Sequence, residues 1–488
     1  MGALVAVLRR DGQKATETAG AMLQAMDRGR AEAFGLASPW TVVTSENLRK
    51  LLSVDLNSSI AIGHIFTRTL ERDETQPIQL DKASLVFEGR LFPPVSEKVE
   101  AEAVATMLRP PRQTSATELV RQMDGDFALV VAESERLIAG RDALGRRPLY
   151  YGENASFVAL ASERKALWRV GIDDPFSFPP ASVATINASG FTFILAEAPK
   201  HRVSIPDDME SATDKLLTLL QASVKARVEG LDDVAVAFSG GLDSTMVACL
   251  AAQAGPQVSL FHASLENQPE TAHARQVAEH LGLPIYIHEY NVEDLEQALP
   301  ALLWIIEEAD PAKTSIGLPI YWAAQRAALK KFGVMLSGQG ADELFSGYKR
   351  YVDAYQTFGS LRVRRMMQQD IAELHATNLE RDAKICSACG IELCLPFLAR
   401  DVVELAVNLP PDMKMEPTSN TLRKLVLRRV AAKLGLPKTV TDRPKKAMQY
   451  ATGTDRALRR LAKAEHLTVG AYLNREFQRM HRGLVRDA

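Results

Sequence analysis

The sequence predicts an α+β domain of two stacked antiparallel sheets over residues 1–200, followed by an α/β domain over residues 212–488. Short apolar segments separated by turn residues dominate the first part, as in packed antiparallel strands. In the second part, apolar strands alternate with helical patterns, which favours a parallel sheet with helices on both faces and a helical C-terminal part. A chain of 488 residues is also longer than one ordinary core.

In the first domain, the predicted strands are VAVL, SIAIGHIF, ASLVFEG, DFALVVAE, RLIAGRD, PLYYG, SFVALAS and FTFILAEA. Two helices are predicted at TETAGAMLQAMDRG and EKVEAEAVATML, because apolar residues recur there at helical spacing. The polar segment EAPKHRVSIPDDMESATD contains two prolines and no periodicity. It is therefore the predicted linker.

In the second domain, the predicted strands are DVAVAF, QVSLFHASL, PIYIHEY and VMLSG. The helices predicted between or before them are SATDKLLTLLQASVKARV, STMVACLAAQ and ETAHARQVAEHLG. From about Leu361 onward the pattern is mainly helical. This order of elements predicts the parallel sheet.

Composition excludes several classes of protein. The formal net charge of -2 provides no basic field for nucleic acid. No apolar run is long enough to cross a membrane, and the N-terminal run precedes its charges, the wrong order for a secretory signal. Four cysteines in this length predict a reducing, cytoplasmic setting. Three of them, Cys386, Cys389 and Cys394, are interpreted as inert thiols on a helix and the loop after it, because a fourth zinc ligand is missing.

The segment VAVAFSGGLDSTMVACL predicts a phosphate-binding loop between a strand and a helix. Its glycines, Gly240 and Gly241, let the backbone approach phosphate oxygens, and the following helix directs free N–H groups toward them. Ser239 and Ser244 add hydroxyl donors, whereas Asp243 suits phosphates only through a cation such as Mg²⁺. The loop lacks the GxxxxGK[ST] pattern of γ-phosphate transfer and resembles the SGGxDS signature of PP-loop ATP pyrophosphatases.

A second motif, MLSGQGADELFSGY, also follows a predicted strand. Ser337 and Gly338 form its turn, and Asp342 could supply a second carboxylate for the cation held by Asp243. Strand ends of an open parallel sheet meet at one edge, where ligands bind. The alternative is that the acidic pair only begins a helix.

Together the two motifs resemble the asparagine synthetase family, including the β-lactam synthetases. GIELCLPFLARDVVELAVNLPPDMKM and TVTDRPKKAMQYATG are similar to further segments of that family, and MDGDFALVVAESERLIAGRDALGRRPLYYG is similar to class II glutamine amidotransferase domains. The resemblance implies an N-terminal-nucleophile-hydrolase-like fold for residues 1–200 and an adenylating synthetase domain for residues 212–488.

The resemblance also implies roles for residues. Ser239, Gly240, Gly241, Asp243 and Ser244, with Ser337 and Gly338, would bind ATP, and Asp243 and Asp342 would hold Mg²⁺. Lys445 would offset charge at the α-phosphorus and the pyrophosphate, although Lys446 is a rival for this role. A carboxylic acid, aspartate before others, would become an acyl-adenylate that ammonia or another amine converts to an amide. The sequence marks no subunit interface, and a homodimer agrees with it.

The N-terminal domain departs from the amidotransferase pattern at three places. The family's nucleophilic cysteine at position 2 is Gly2, which has no side chain. The glutamine-holding Asn-Gly-Glu becomes Glu88-Gly89-Arg90, and Arg68 stands two positions from the place of an expected arginine. These losses predict a domain that keeps its fold without glutaminase activity, so that free ammonia replaces glutamine.

The second domain departs as well, since Gln339 stands where amidotransferase members have glutamate and β-lactam synthetases have tyrosine. Glutamine can form hydrogen bonds but cannot act as a base. Cys394 and Ala399 also replace an arginine and an aspartate. Beside the ammonia-dependent ligase, two alternatives therefore stay open: a β-lactam-synthetase-like enzyme of specialised metabolism and a catalytically silent member.

Overall fold

The computed structural model describes residues 2–71, 73–92, 100–109, 114–196, 203–416 and 422–486. The main segments of its two compact units are Met1–Pro199 and Lys200–Met480. Among the described residues, every helix is too short or too polar to span a lipid bilayer.

The first unit contains thirteen strands and five helices in its described part. The strands are β1 (Gly2–Arg9), β2 (Ala33–Ala37), β3 (Val42–Ser45), β4 (Ile60–Phe66), β5 (Ile78–Gln79), β6 (Ser84–Leu91), β7 (Gly125–Ala132), β8 (Leu137–Arg141), β9 (Tyr150–Glu153), β10 (Phe157–Ala161), β11 (Phe176–Ser177), β12 (Ser182–Asn187) and β13 (Gly190–Leu195). The helices are α1 (Thr16–Met26), α2 (Leu48–Leu52), α3 (Glu100–Leu108), α4 (Ala116–Gln122) and α5 (Arg164–Trp168).

These strands form two antiparallel sheets, ordered β11-β9-β10-β1-β4-β2-β3 and β13-β12-β8-β7-β6-β5. Alternate residues of β1 separate two cores: Leu4 and Ala6 pack with residues of the second sheet such as Val130, whereas Val5 and Val7 pack with helix α1. A third core joins the outer face of the second sheet to α3 and α4. This period of two follows from strand geometry and gives a helix–sheet–sheet–helix arrangement.

The second unit begins with α6 (Met209–Val228) and is built on five strands. The strands are β14 (Asp233–Ala237), β15 (Gln257–Leu265), β16 (Ile285–Tyr290), β17 (Val334–Leu336) and β18 (Glu392–Cys394). The further helices are α7 (Leu242–Ala254), α8 (Pro269–Leu281), α9 (Val292–Ile306), α10 (Pro311–Leu329), α11 (Ala341–Leu344), α12 (Lys349–Phe358), α13 (Ser360–Ala372), α14 (Glu380–Cys389), α15 (Arg400–Asn408), α16 (Leu425–Lys433), α17 (Lys438–Thr441), α18 (Met448–Ala451), α19 (Thr454–Ala464) and α20 (Val469–Arg486). Short π- and 3₁₀-helical turns occupy His375–Leu379, Pro396–Leu398 and Pro411–Met413.

All neighbouring strands of this sheet are parallel, in the order β16-β15-β14-β17-β18. A large apolar core joins β15 and β17 to helices α9, α10, α14 and α19. Because β14 lies between β15 and β17, its carboxyl end opens onto two neighbouring strand ends. Ligands of open parallel sheets bind at such a position.

The predicted fold class is confirmed, and the strands predicted in both halves are present within a few residues of their predicted ends. Prediction missed β2, β3, β5, β11, β12 and β18, of which β3, β5, β11 and β18 have four residues or fewer. Cys394 lies in strand β18, so its prediction as a loop residue was wrong; Cys386, Cys389 and Cys394 are all buried. Residues 197–202 of the predicted linker and the first three residues of EKVEAEAVATML lie outside the described residues.

Candidate functional site

The turn between β14 and α7 places the SGGLDS residues at the carboxyl edge of the parallel sheet. Gly240 has a φ of +71°, and a Cβ on it would lie 2.9 Å from the Cα of Ala274. Only glycine fits both conditions easily. Nε2 of His273 lies 3.0 Å from the Gly240 carbonyl oxygen. The turn is therefore fixed from one side by helix α8.

Hydroxyl groups hold the same turn from within. The Ser239 and Ser244 hydroxyl oxygens are 3.0 Å apart, and the Gly241 N–H donates to Ser239 Oγ over 3.2 Å. Gly241 is the N-cap of α7 and has no side-chain cap of its own. A helix N-terminus with two serine hydroxyls beside it is an arrangement that can bind an anion. We call residues 239–244 the phosphate turn, after the ligand that the sequence predicts for it.

The second predicted motif lies directly against the first. Ser337 and Gly338 follow β17, and a Cβ on Gly338 would lie 2.8 Å from the Cβ of Asp243 and 3.1 Å from the Ser244 nitrogen. Asp342 lies in α11, the helix that this motif begins. The structure thus brings together two loops that are about a hundred residues apart, because their strands are neighbours.

Lys424, which sequence reasoning missed, joins the two aspartates. Its Nζ lies 2.6 Å from Oδ2 of Asp243 and 2.6 Å from Oδ1 of Asp342. Lys424 is only 3% exposed and has a φ of +63°, an uncommon backbone conformation for a residue with a side chain. In TLRKLVLRR, one lysine among several basic residues gave no signal of this position.

The charges of these residues shift one another. Burial and the Asp342 carboxylate raise the pKa of Asp243, although Lys424 opposes them. Burial also acts to raise the pKa of Asp342, but Lys424 and Lys445 outweigh it and lower that pKa to about 2. Burial acts to lower the pKa of Lys424, and the two carboxylates outweigh it, so the net shift is upward. An ionised Asp342 beside ammonium groups is suited to a site where charge must be balanced.

The donor set also suits a divalent cation. Oδ1 of Asp243 is buried and has no hydrogen-bond partner in the part of the chain that the structure describes. Carboxylate oxygens such as those of Asp243 and Asp342 are ligands that Mg²⁺ accepts. Lys424 holds the carboxylates together by its own positive charge, so it would have to yield part of these contacts to a cation.

The structure separates the two lysines that the sequence could not distinguish. Lys445 forms an ion pair with Oδ2 of Asp342. Nζ of Lys446 instead lies 2.6 Å from Oε1 of Glu270 on α8, and its side chain is 48% exposed. Of these two lysines, Lys445 is therefore the one that contacts Asp342.

Gln339 lies in the turn after β17 and is partly buried. Its backbone N–H donates to Ser337 Oγ over 3.3 Å, and within the described ranges its side-chain amide makes no hydrogen bond. The amide therefore remains able to bind a ligand at the edge that carries the phosphate turn.

In the first unit, position 2 is closed to a nucleophile. A Cβ on Gly2 would lie 2.5 Å from Nε2 of His64, closer than any real contact. That nitrogen lies 3.1 Å from Oε2 of Glu88, whose Oε1 accepts the Gly2 N–H over 3.0 Å. The His64 ring and the Ile65 carbonyl oxygen, which lies still closer to the same Cβ position, thus occupy the space that a side chain at position 2 would need.

Two arginines near the predicted losses, Arg90 and Arg68, contact residues of the loop before β5. Arg90 forms a two-pronged ion pair with Asp73, at 2.5 and 2.8 Å, and contacts Glu100 at 3.2 Å. Arg68 donates to the backbone carbonyls of Glu71 and Asp73. Both arginines are used to hold the loop before β5.

Comparison with family models agrees with this geometry. The asparagine synthase model matches residues 215–361 and 353–482, and the glutamine amidotransferase domain model matches residues 70–169. The two ranges matched by the asparagine synthase model together contain every residue of the phosphate turn, Asp342 and the lysines Lys424, Lys445 and Lys446.

Among relatives, a Methanocaldococcus jannaschii protein with the provisional name asparagine synthetase (glutamine-hydrolyzing) 1 is 31% identical over 71% of this chain and 72% of its own length. Asparagine synthetase (glutamine-hydrolyzing) 1 of Arabidopsis thaliana is 29% identical over 69% of this chain. The chain spans 59% of that plant relative and 55% of another from the same plant, less than two thirds of each.

A solved structure, glutamine phosphoribosylpyrophosphate amidotransferase from B. subtilis, is 16% identical with a TM-score of 0.34, over 58% of this chain and 65% of that one. The family assignment depends instead on the synthase model, which covers more than half of the chain, and on the archaeal relative. The chain belongs to the asparagine synthetase family.

Proposed function

We propose that this chain is an ATP-dependent ligase that activates a carboxylic acid as an acyl-adenylate and converts it with ammonia to an amide. The observation that carries this proposal is the group Asp243, Lys424, Asp342 and Lys445 at the edge of the parallel sheet, beside the phosphate turn. The two carboxylates can hold a divalent cation, and the two ammonium groups can offset part of the negative charge of a triphosphate. A merely structural turn would not need them.

In the proposed first step, a carboxylate oxygen of the acid attacks the α-phosphorus of ATP. The bond from the α-phosphorus to the bridging oxygen breaks, and pyrophosphate leaves with the electron pair. The Ser239–Ser244 turn would bind the pyrophosphate part, and Lys445 would lie beside the charge that develops there. Asp243 and Asp342 would hold Mg²⁺, whose contribution when bound is to neutralise charge on the β- and γ-phosphates.

In the second step, neutral ammonia attacks the acyl carbon, the carbon–oxygen bond to AMP breaks, and one proton is released. The amide of Gln339 cannot take that proton, but it can orient the acid or the amine through hydrogen bonds. Aspartate is the first acid to test, because the relatives carry the name asparagine synthetase.

The proposal assigns residues 1–200 to an amidotransferase-like domain without glutaminase activity and residues 212–488 to the synthetase domain. The filled position beside Gly2 supports the first assignment, since no nucleophile fits there. Ammonia must then come from solution or from another protein.

Transfer of ¹⁸O tests the mechanism directly. Aspartate labelled in its side-chain carboxylate is incubated with ATP, Mg²⁺ and ammonium chloride, and AMP is analysed by mass spectrometry. Label in AMP together with asparagine supports the proposal, and Asp342→Asn is the matched inactive control. Label in AMP only with another acid would favour a specialised synthetase, and no pyrophosphate with any acid would contradict ligase function.

A further inference from the structure

Tyr348, the last residue of the second motif MLSGQGADELFSGY, lies beside Lys445. Nζ of Lys445 is 4.3 Å from the centroid of the Tyr348 ring, within the range where an aromatic face attracts a cation. Tyr348 is the N-cap residue of α12. Its backbone position is therefore set by a helix rather than by the loop that carries Lys445.

A buried carboxylate fixes the orientation of this ring. The Tyr348 hydroxyl donates to Oε1 of Glu343 over 2.6 Å, and Nδ2 of Asn378 donates to the same oxygen over 3.1 Å. Glu343 is only 3% exposed. Two donors on one buried oxygen leave the carboxylate little freedom, and the tyrosine ring is held with it.

Lys445 needs the Tyr348 ring as a partner because its other contact, Asp342, is shared with Lys424. Within the described residues, the ammonium group contacts Asp342 and the Tyr348 ring, and Asp342 also contacts Lys424. When Asp342 serves a cation as well, less of its charge remains for Lys445. The ring attracts the ammonium group independently of that competition and needs no hydrogen-bonding atom of Asp342.

We propose that Tyr348, fixed by Glu343, is a positioning residue that holds the Lys445 ammonium group at the nucleotide edge of the sheet. The contact itself can be tested without any reaction. Its effect on ATP cleavage rests on the proposed function, because Lys445 is the group that would lie beside the pyrophosphate. Glu343 acts through Tyr348 and touches no reactant.

Competitive labelling of lysines with trace acetic anhydride, read by mass spectrometry on the full-length protein without ATP, measures how strongly Lys445 is held. Lys446, paired with Glu270, is the internal control on the same peptide. We expect Tyr348→Leu to raise the ratio of Lys445 to Lys446 labelling about fivefold, and Tyr348→Phe, which keeps the ring, to change it less than about twofold. Glu343→Ala should raise the ratio, and Glu343→Gln, which can still accept the tyrosine hydrogen bond, should restore it.

An unchanged ratio in folded Tyr348→Leu would overturn the proposal. If that variant does not fold, Glu343→Ala decides in the same way. In kinetics, Tyr348→Leu should lower kcat for pyrophosphate release with little change in KM for ATP, whereas a loss of phosphate binding would raise KM. If the wild-type protein releases no pyrophosphate, the ligase proposal fails and the labelling result still stands.

Discussion

Nζ of Lys424 lies 2.6 Å from Oδ2 of Asp243, although the two residues are 181 positions apart in the chain. The lysine also contacts Asp342, so a single buried ammonium group pairs with both carboxylates of the candidate cation site. Uncompensated carboxylates this close would repel each other strongly. Lys424 therefore allows the two aspartates to stay together when no metal is bound.

This relationship predicts competition between Lys424 and metal. In Lys424→Met, the carboxylates lose their internal cation, so Mn²⁺ should bind the ATP-free protein about tenfold or more tightly than it binds wild type, roughly 1.4 kcal/mol. Electron paramagnetic resonance of free Mn²⁺ measures the affinity. Lys446→Met, which removes a lysine paired with Glu270, is the control. Equal Mn²⁺ affinity in wild type and Lys424→Met would show that the lysine does not occupy the metal position.

The two lysines of the RPKK segment should differ in their effect on catalysis. Lys445→Ala removes the ammonium group that contacts Asp342 and should lower kcat for pyrophosphate release by about 10²–10³-fold, the usual loss for one charge-stabilising donor. Lys446→Ala, which removes an exposed ion pair, should lower kcat for pyrophosphate release far less. Pyrophosphate release under saturating ATP measures both. A larger loss in Lys446→Ala than in Lys445→Ala would reverse this assignment.

Gly2→Cys should not produce glutaminase activity. A Cβ at this position overlaps Nε2 of His64, and overpacking of this kind costs about 1–3 kcal/mol. We therefore expect no glutamate release from glutamine and a lower melting temperature. Gly12→Ala is an informative contrast. Within the described part of the chain, a Cβ on Gly12 would meet no atom beyond its chain neighbours within 4 Å, so the cost of this change arises from the φ of +70° alone. Glutamate release by Gly2→Cys would contradict the filled site described here.

Acid should destabilise the first unit through Asp73. Burial acts to raise the pKa of this carboxyl, but the ion pair with Arg90 outweighs it and lowers the pKa to about 2. A carboxyl with a depressed pKa stabilises the fold above its ordinary value near 4, and this stabilisation is lost as pH falls toward 2.

Urea unfolding at pH 7 and at pH 3 measures that contribution. Asp73→Asn should lower the free energy of unfolding by on the order of 1–2 kcal/mol at pH 7 and by a smaller amount at pH 3. Asp81→Asn, an exposed change in the same unit, should show no such pH dependence. If Asp73→Asn lowers the free energy of unfolding equally at both pH values, the Asp73–Arg90 ion pair does not stabilise the fold through the charge of Asp73.

The sequence was sufficient to predict that the turn after β14 and the loop after β17 lie together, because each follows an apolar strand and parallel strands end at one edge. Lys424 could not be found in this way. Its place depends on a backbone with φ of +63° and on the position of α16, neither of which a pattern of basic residues encodes. Likewise, the sequence shows glycine at position 2. It does not show that the His64 side chain fills the space beside Gly2, because that depends on the direction of the His64 side chain on β4, the strand that pairs with β1.

The near contact between Gly338 and Asp243 means that the loop after β17 packs directly against the turn after β14. Any side chain at position 338 would push against Asp243 and the first turn of α7. A change that appears confined to the β17 loop would thereby displace a proposed metal ligand and the N–H groups that follow it. Under the proposed function, substitutions in one loop would therefore alter both substrate preference and nucleotide affinity.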